Sequence, residues 1–339
     1  MSFRLMSLVI LINSSLFLYS QVKLDNVNAY SFTVVQKNDS IQFIKLGGDI
    51  HQRKGVIIFC QGSLPIPLIV IDSNGDHFFP AINFNMDYLS KSYHLVLISP
   101  PNIPLVANDT NLDSQFAFVE NKNIPYSYPI GYLSNNYLEK YVERAQYVID
   151  FLRTQEWVDP NRLIIVGHSQ GSRIATKVAA GNSKVFAVGY FSGNPLGRID
   201  ESIWKIKIST YKNELSQDEA QRKLDNIYND WRKMNTESSE YEFRSILSFS
   251  KPILDDLLRI TQPLYITFGT NDETAFYCNF LPIEFIRKGK CNYEFVPRIG
   301  YDHNFFEVDS MNKPDYSKCH WDDVMKDFLI WIEAYQSCE

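Results

Sequence analysis

After its first twenty residues the chain has no apolar run long enough to cross a bilayer, which takes about 20 consecutive apolar residues. It has no cluster of lysine and arginine. The 33 basic residues are scattered among 39 acidic ones, for a formal net charge of -6, so the electrostatic footprint of a nucleic-acid binder is missing. It has no HExxH sequence and no cysteine–histidine group at zinc-ligand spacing, so no metal is expected. Glycine and proline, 15 each in 339 residues, are dispersed; no repeat, low-complexity tract or linker divides the chain. Cysteine is scarce and odd in number. Five cysteines leave at least one thiol unpaired unless two chains are bridged.

What is present begins with an N-terminal signal. Arg4 precedes an apolar run over 8–18, interrupted by Asn13, Ser14 and Ser15, and Ser20 supplies a small residue before Gln21. This reads as a secretory signal peptide over 1–20, which predicts a secreted or periplasmic protein and one folded domain over 21–339. Residues 30–35 and 41–46 alternate and are rich in β-branched and aromatic side chains, as an edge strand pair would be. Short, continuously apolar runs follow at 56–60, 95–99, 163–166, 185–191 and 264–268. Continuous rather than alternating hydrophobicity marks strands covered on both faces. Tyr137, Tyr141, Ala145, Val148 and Leu152 fall on one helical stripe, and 321–335 is a second amphipathic helix. Strand and helix alternation predicts an α/β fold built on a mostly parallel, doubly wound sheet. Two long segments break the rhythm: 100–136, polar and aromatic, and about 195–261, read as a helical cap inserted over the sheet. The aromatics Phe116, Phe118, Tyr126 and Tyr128 either line a pocket or pin the first of these loops.

The chemistry centres on RLIIVGHSQG, residues 162–171. A turn at Asp159-Pro160-Asn161 leads into a four-residue apolar strand, then Gly167-His168-Ser169-Gln170-Gly171, then a helical stripe through Ile174, Val178 and Ala179. A serine at the apex of so tight a strand-to-helix turn is forced into strained backbone geometry, and the residues two before and two after it must be small. It also sits at a helix N-terminus, where negative charge is favoured. The plainer alternative is a serine that only caps the helix.

On these residues, and on the stretch from Tyr137 through Trp157-Val158-Asp159-Pro160 into Gly167-His168-Ser169, the chain resembles the α/β-hydrolase superfamily, nearest its dienelactone-hydrolase, esterase and oligopeptidase-catalytic-domain branch. The resemblance runs from about Val56 to the C-terminus, apart from the cap. It implies the α/β-hydrolase fold and a catalytic triad in the order serine, acid, histidine, with Ser169 as nucleophile. Asp272, three residues after Gly269, takes the acid's place, with Glu273 as rival and a plain helix-capping aspartate as the alternative. His303, in the loop Gly300-Tyr301-Asp302-His303, is the expected base, whereas His320 abuts the last helix and His51, His77 and His94 precede the serine. His168 is expected to support the elbow. The segment Gln61-Gly62-Ser63 matches the family's histidine-glycine-X loop, with Gln61 replacing the usual histidine, so the backbone N–H groups of Ser63 and Gln170 are the expected oxyanion donors.

The function this implies is hydrolysis of carboxylic esters through an acyl-enzyme, with no cofactor, acting on a small-molecule ester or short peptide. Two rivals belong to other classes: an oligopeptidase-like serine peptidase, for which no acidic pair to hold a peptide amine is evident, and a non-catalytic binding protein on the same scaffold. For the cysteines, topology predicts a buried free thiol at Cys60. It also predicts the pairs Cys278–Cys319, both near the C-terminal ends of the strands, and Cys291–Cys338, both at the opposite end.

Overall fold

The structure, a computed structural model, describes residues 17–24, 27–47, 50–236 and 241–336. Residues 1–16 of the expected signal peptide lie outside this set.

Nine strands form one sheet: β1 Tyr19–Leu24, β2 Ala29–Gln36, β3 Asp39–Leu46, β4 Lys54–Cys60, β7 Tyr93–Ile98, β9 Val158–His168, β10 Ala187–Phe191, β11 Leu264–Gly269 and β12 Tyr293–Arg298. Three short strands, β5 Ile69–Ile71, β6 His77–Phe78 and β8 Val106–Asn108, make a small separate sheet, and β13 Phe306–Val308 pairs with β14 Pro314–Cys319. The large sheet runs β1-β2-β3-β7-β4-β9-β10-β11-β12. The strands from β7 to β12 are all parallel, and β1, β2 and β3 add antiparallel pairings at one edge. This is the mostly parallel α/β architecture the sequence predicts.

The continuous apolar runs are buried on both faces apart from Phe186, which is exposed just before β10. Alternate residues of β4 belong to different cores. Val56, Ile58 and Cys60 pack with the helices Leu138–Leu152 and Gln170–Gly181, while Ile57 and Phe59 pack with the last helix, Trp321–Ala334. Each such side chain, fully buried, contributes about 1.5–3 kcal/mol of transfer free energy. Arg144, on the helix Leu138–Leu152, donates to Asp39 (2.8 Å) and to the Ser99 carbonyl (3.0 Å), tying that helix to the β2–β3 hairpin.

Two segments without clear period have structure of their own. Within 100–136 lie β8, a single 3-10 turn at Asp109–Asn111, and the helix Ile130–Asn135. Phe116 packs on Phe78, Tyr128 on Tyr126 and Tyr132, and Phe118 on a small core of Val70, Ala107 and Leu112. These aromatics pin the loop and line neither cavity beside Ser169. Between β10 and β11 stand the helices Arg198–Tyr211, Gln217–Thr236, Tyr241–Phe249 and Leu254–Arg259. No helix among the described residues is long and apolar enough to cross a membrane.

The expected Cys278–Cys319 disulfide is not there: both are free thiols. Cys278 lies fully buried in the core that holds Val56 and Ile58, its thiol directed at the Gly193 carbonyl (3.0 Å). Cys319 is exposed at the end of β14, two residues before Trp321, which belongs to the other core. Topology placed both at the same end of the sheet but could not say on which face. Cys338, the expected partner of Cys291, lies outside the described residues. Cys60 is a buried free thiol as expected, its pKa pushed up to about 12 by burial.

Candidate active site

β9 ends at His168, and the helix Gln170–Gly181 starts at Gln170, leaving one residue for the reversal. That residue, Ser169, is held at φ 57, ψ -123, in the left-handed half of backbone space that a non-glycine residue enters only at a cost. Its N–H bonds the Phe191 carbonyl (2.9 Å) and its own carbonyl accepts from the Ser172 hydroxyl (2.6 Å), which fixes the strained turn. The flanking glycines are needed for space. A Cβ on Gly167 would overlap the Gly171 carbonyl, and one on Gly171 would overlap the Cys60 carbonyl at the end of β4. Ser169 is therefore more than a capping residue: its side chain makes no cap hydrogen bond to the helix.

His303 faces the same space from the loop after β12, and Asp272 from the loop after β11. His303 Nδ1 donates to Asp272 Oδ2 at 2.7 Å. The other carboxylate oxygen accepts from the Thr274 backbone N–H (2.8 Å) and hydroxyl (2.7 Å). Asp272 is thus both things the sequence allowed, N-cap of the 3-10 helix Glu273–Phe280 through one oxygen and histidine partner through the other. Burial pushes its carboxyl up, but the His303 charge and these hydrogen bonds outweigh burial and hold it below its ordinary range. His303 shows the converse. Burial pulls its pKa down, yet Asp272 more than restores it, leaving it above the ordinary imidazole value. The rival Glu273 points away, into a half-exposed ion pair with Lys212 (2.7 Å).

Ser169 and His303 line two cavities in common, one of about 390 Å³ and one of about 210 Å³. Among the described residues Ser169 Oγ has no hydrogen-bond partner, His303 Nε2 included. Gly62 stands beside Ser169, with a Cβ position 3.8 Å from the serine Cβ, and Ser63 lines both cavities. The Gln170 N–H, in the first turn of its helix, has no intrahelical acceptor. Gln61, standing where a histidine was expected, donates through Nε2 to the Ile66 carbonyl (3.3 Å), and Tyr132 Oη donates to the Ser63 carbonyl (2.9 Å). The Ser63 loop is therefore braced without the histidine. A hydroxyl and an imidazole backed by a buried carboxylate at one cavity can activate a nucleophile.

No family model matches the chain, and no curated protein matches its sequence. Solved structures do. An acetyl xylan esterase from Paenibacillus sp. R4 is 13% identical, with a TM-score of 0.51 over 94% of this chain and 89% of that one. An acylaminoacyl peptidase from Pyrococcus horikoshii is 12% identical, with a TM-score of 0.53 over 95% of this chain and 43% of that one. Dipeptidyl peptidase 4 from Porphyromonas gingivalis is 9% identical, with a TM-score of 0.51 over 94% of this chain and 43% of that one.

The chain has the α/β-hydrolase fold.

Within this α/β-hydrolase frame the remaining histidines separate cleanly. His320 is held by Glu307 and Asp323, both at 3.0 Å, and stacks on Tyr301, so it is occupied elsewhere. His94 is buried against the Gly47 and Gln52 carbonyls. His168 has a definite task. Its Nε2–H donates to the His303 backbone carbonyl at 2.8 Å, and its ring packs on Trp321 and His303. Burial, and then the His303 charge, lower its pKa to about 3, so it stays a neutral donor. The sequence analysis missed Thr274, Tyr132, Arg173 and Arg198. A threonine two residues after an N-capping aspartate was a readable signal for the first. Arg173 lies one turn after Ser169 on the same helix, a spacing also readable in the sequence; Tyr132 and Arg198 are placed by packing alone.

Proposed function

We propose that this protein is a serine hydrolase cleaving carboxylic esters through a Ser169–His303–Asp272 triad. The observation that carries the reading is the pairing of His303 with a buried, doubly hydrogen-bonded Asp272 at the cavity where Ser169 sits strained. In the reaction His303 Nε2 takes the Ser169 proton as Oγ attacks the ester carbonyl, and the resulting oxyanion lies on the N–H groups of Ser63 and Gln170. Collapse breaks the bond to the alcohol, which leaves with the proton from His303. Water, deprotonated by His303, then attacks the acyl-enzyme; collapse returns a proton to Ser169 and frees the acid. The helical insertion between β10 and β11 acts as a cap, since its first helix and Phe249 contribute to the wall of the larger cavity.

The peptidase reading is weaker here. Glu201, the one carboxylate lining that cavity among the described residues, is ion-paired to Lys205 and is not left for a peptide amine. Export through the N-terminal signal is part of the proposal. Cleavage after Ser20 would remove Tyr19 and Ser20 from β1, and Tyr19 packs on Phe151. N-terminal sequencing of exported protein beginning at Gln21 checks it.

The decisive experiment is Ser169→Ala. The variant should keep its fold but lose hydrolysis of chromogenic esters and labelling by a fluorophosphonate. Labelling that persists in a folded Ser169→Ala protein overturns the assignment.

A further inference from the structure

The larger cavity beside Ser169 contains charge that the proposed chemistry leaves unused. Arg198, the first residue of the helix Arg198–Tyr211, lines it together with Arg173, Gln170, Ser192 and Glu201. The Arg198 guanidinium lies 4.5 Å from the centre of the Phe249 ring and donates to the Gln170 side-chain oxygen. Arg173 donates to the carbonyls of Asn194 (2.7 Å) and Lys251. Neither arginine is in an ion pair with any described residue. Glu201, the one carboxylate lining the cavity among the described residues, is ion-paired to Lys205 on its own helix. Two guanidinium groups thus stand at this wall with no described carboxylate in ion-pair contact with them, the charges of Glu201 on Arg198 and of Asp200 and Asp256 on Arg173 acting from farther away.

The unmatched polar atoms of the wall agree in kind. Gln170 Nε2, Arg173 Nε and Ser192 Oγ are buried with no hydrogen-bond partner. Two of these are donors only, and the hydroxyl can donate. Unpaired buried donors and unpaired cations are costly, and a ligand with several acceptor lone pairs and a negative charge relieves both. A planar carboxylate suits a guanidinium fork, whereas an amine would meet two positive charges. Arg198 is also well placed for recognition. Stacked on Phe249 and tied to Gln170, whose backbone N–H is a proposed oxyanion donor, it is held in one arrangement next to the reacting carbonyl.

We propose that this cavity selects esters that carry a carboxylate, with Arg198 as the residue that receives it. This rests on the reading of Ser169 as nucleophile, and adds to it the class of substrate.

The test compares carboxylated esters with neutral counterparts. Mono-p-nitrophenyl glutarate, with the acid on the acyl side, is set against p-nitrophenyl pentanoate. Butanoyloxyacetate, with the acid on the alcohol side, is set against butanoyloxyacetamide. At least one acid should be preferred in kcat/KM by about tenfold or more, the usual scale of a charge-assisted hydrogen bond. Arg198→Gln should bring that ratio to near parity, and Arg198→Lys should keep part of it. Because Arg198 also holds the Gln170 side chain, the readout is the ratio and not the absolute rate. If Arg198→Gln does not fold, the wild-type ratio and Arg198→Lys decide. Parity or a neutral preference for both pairs in the wild type overturns the proposal, as does a preference that survives Arg198→Gln in a folded protein.

Binding separates this from failure of the catalytic reading. By calorimetry, Ser169→Ala protein should bind monomethyl glutarate or butanoyloxyacetate more tightly than dimethyl glutarate or butanoyloxyacetamide, and lose the difference when Arg198→Gln is added. If no ester is hydrolysed but this binding difference is found, the subsite stands and the nucleophile reading falls. If esters are hydrolysed and neither acid is favoured in rate or binding, the subsite falls alone.

Discussion

Asp272 shows how one side chain carries two jobs without conflict. One oxygen caps the 3-10 helix that follows and the other orients His303, so the carboxylate is fixed before it acts. Asp272→Asn should cut kcat by about ten-thousandfold, because the amide favours the wrong imidazole tautomer and cannot balance the imidazolium. Glu273→Gln should do far less, since Glu273 is engaged with Lys212. Steady-state kinetics on both variants checks this, and a worse loss in Glu273→Gln would show the wrong carboxylate was chosen. The raised pKa of His303 has its own consequence. In the proposed reaction His303 must be neutral to act, so kcat/KM should fall with decreasing pH through a midpoint above the ordinary imidazole value of about 6.5. His168 titrates the other way. Its folded pKa is near 3, so between about 6.5 and that value the unfolded chain binds a proton that the folded chain refuses. Stability should therefore be lost as pH falls through this window, and chemical denaturation of His168→Gln should show a shallower loss. An unchanged slope would mean that His168 is not buried neutral.

At the scale of elements, the elbow is set by the space between β4, β9 and the helix after Ser169. The helix approaches β4 closely enough that only glycine fits at position 171. Gly171→Ala should therefore cost about 3 kcal/mol or more, the upper end of overpacking effects, because the obstacle is the Cys60 backbone carbonyl and not a movable side chain. Thermal or denaturant unfolding measures this; a change below about 1 kcal/mol would show that the strands can separate. The elbow was legible because its pattern is local: an apolar strand, two glycines at fixed spacing and a helical stripe lie within twenty or so residues of one another. The strands β4, β7, β9, β10 and β11 were legible for the related reason that burial on both faces leaves no alternating solvent-facing position in the run. The hairpin β13–β14 and the small sheet β5–β6–β8 were not. Their strands are two to six residues long and lack a periodic signal.

For the whole molecule, the sheet divides the interior into two cores, and this division governs the cysteines. Cys60 and Cys278 lie in the same core and Cys319 is exposed beside the other. A maleimide reagent on native protein should label Cys319 promptly and reach Cys60 and Cys278 only on unfolding, as peptide mapping by mass spectrometry would show. Recovery of Cys278 linked to Cys319 would contradict the two-core arrangement. The same mapping tests the proposed Cys291–Cys338 pair.

The sequence by itself determined the sheet order's raw material, the tight strand-to-helix turn at Ser169, and the acid and base candidates, because each is written in neighbouring residues: apolar runs, glycine spacing, a loop after a strand. The tertiary structure alone decided which carboxylate meets His303, since Asp272 and Glu273 are adjacent in the chain and only the direction of the side chain separates them. It alone decided which cysteines can meet, because position along a strand says nothing about the face of the sheet. It alone brought Arg198 to the serine, because the helix that begins there follows β10 and meets the serine only where β9 and β10 end side by side. Local pattern fixes which chemistry is available, and packing fixes which groups share a cavity.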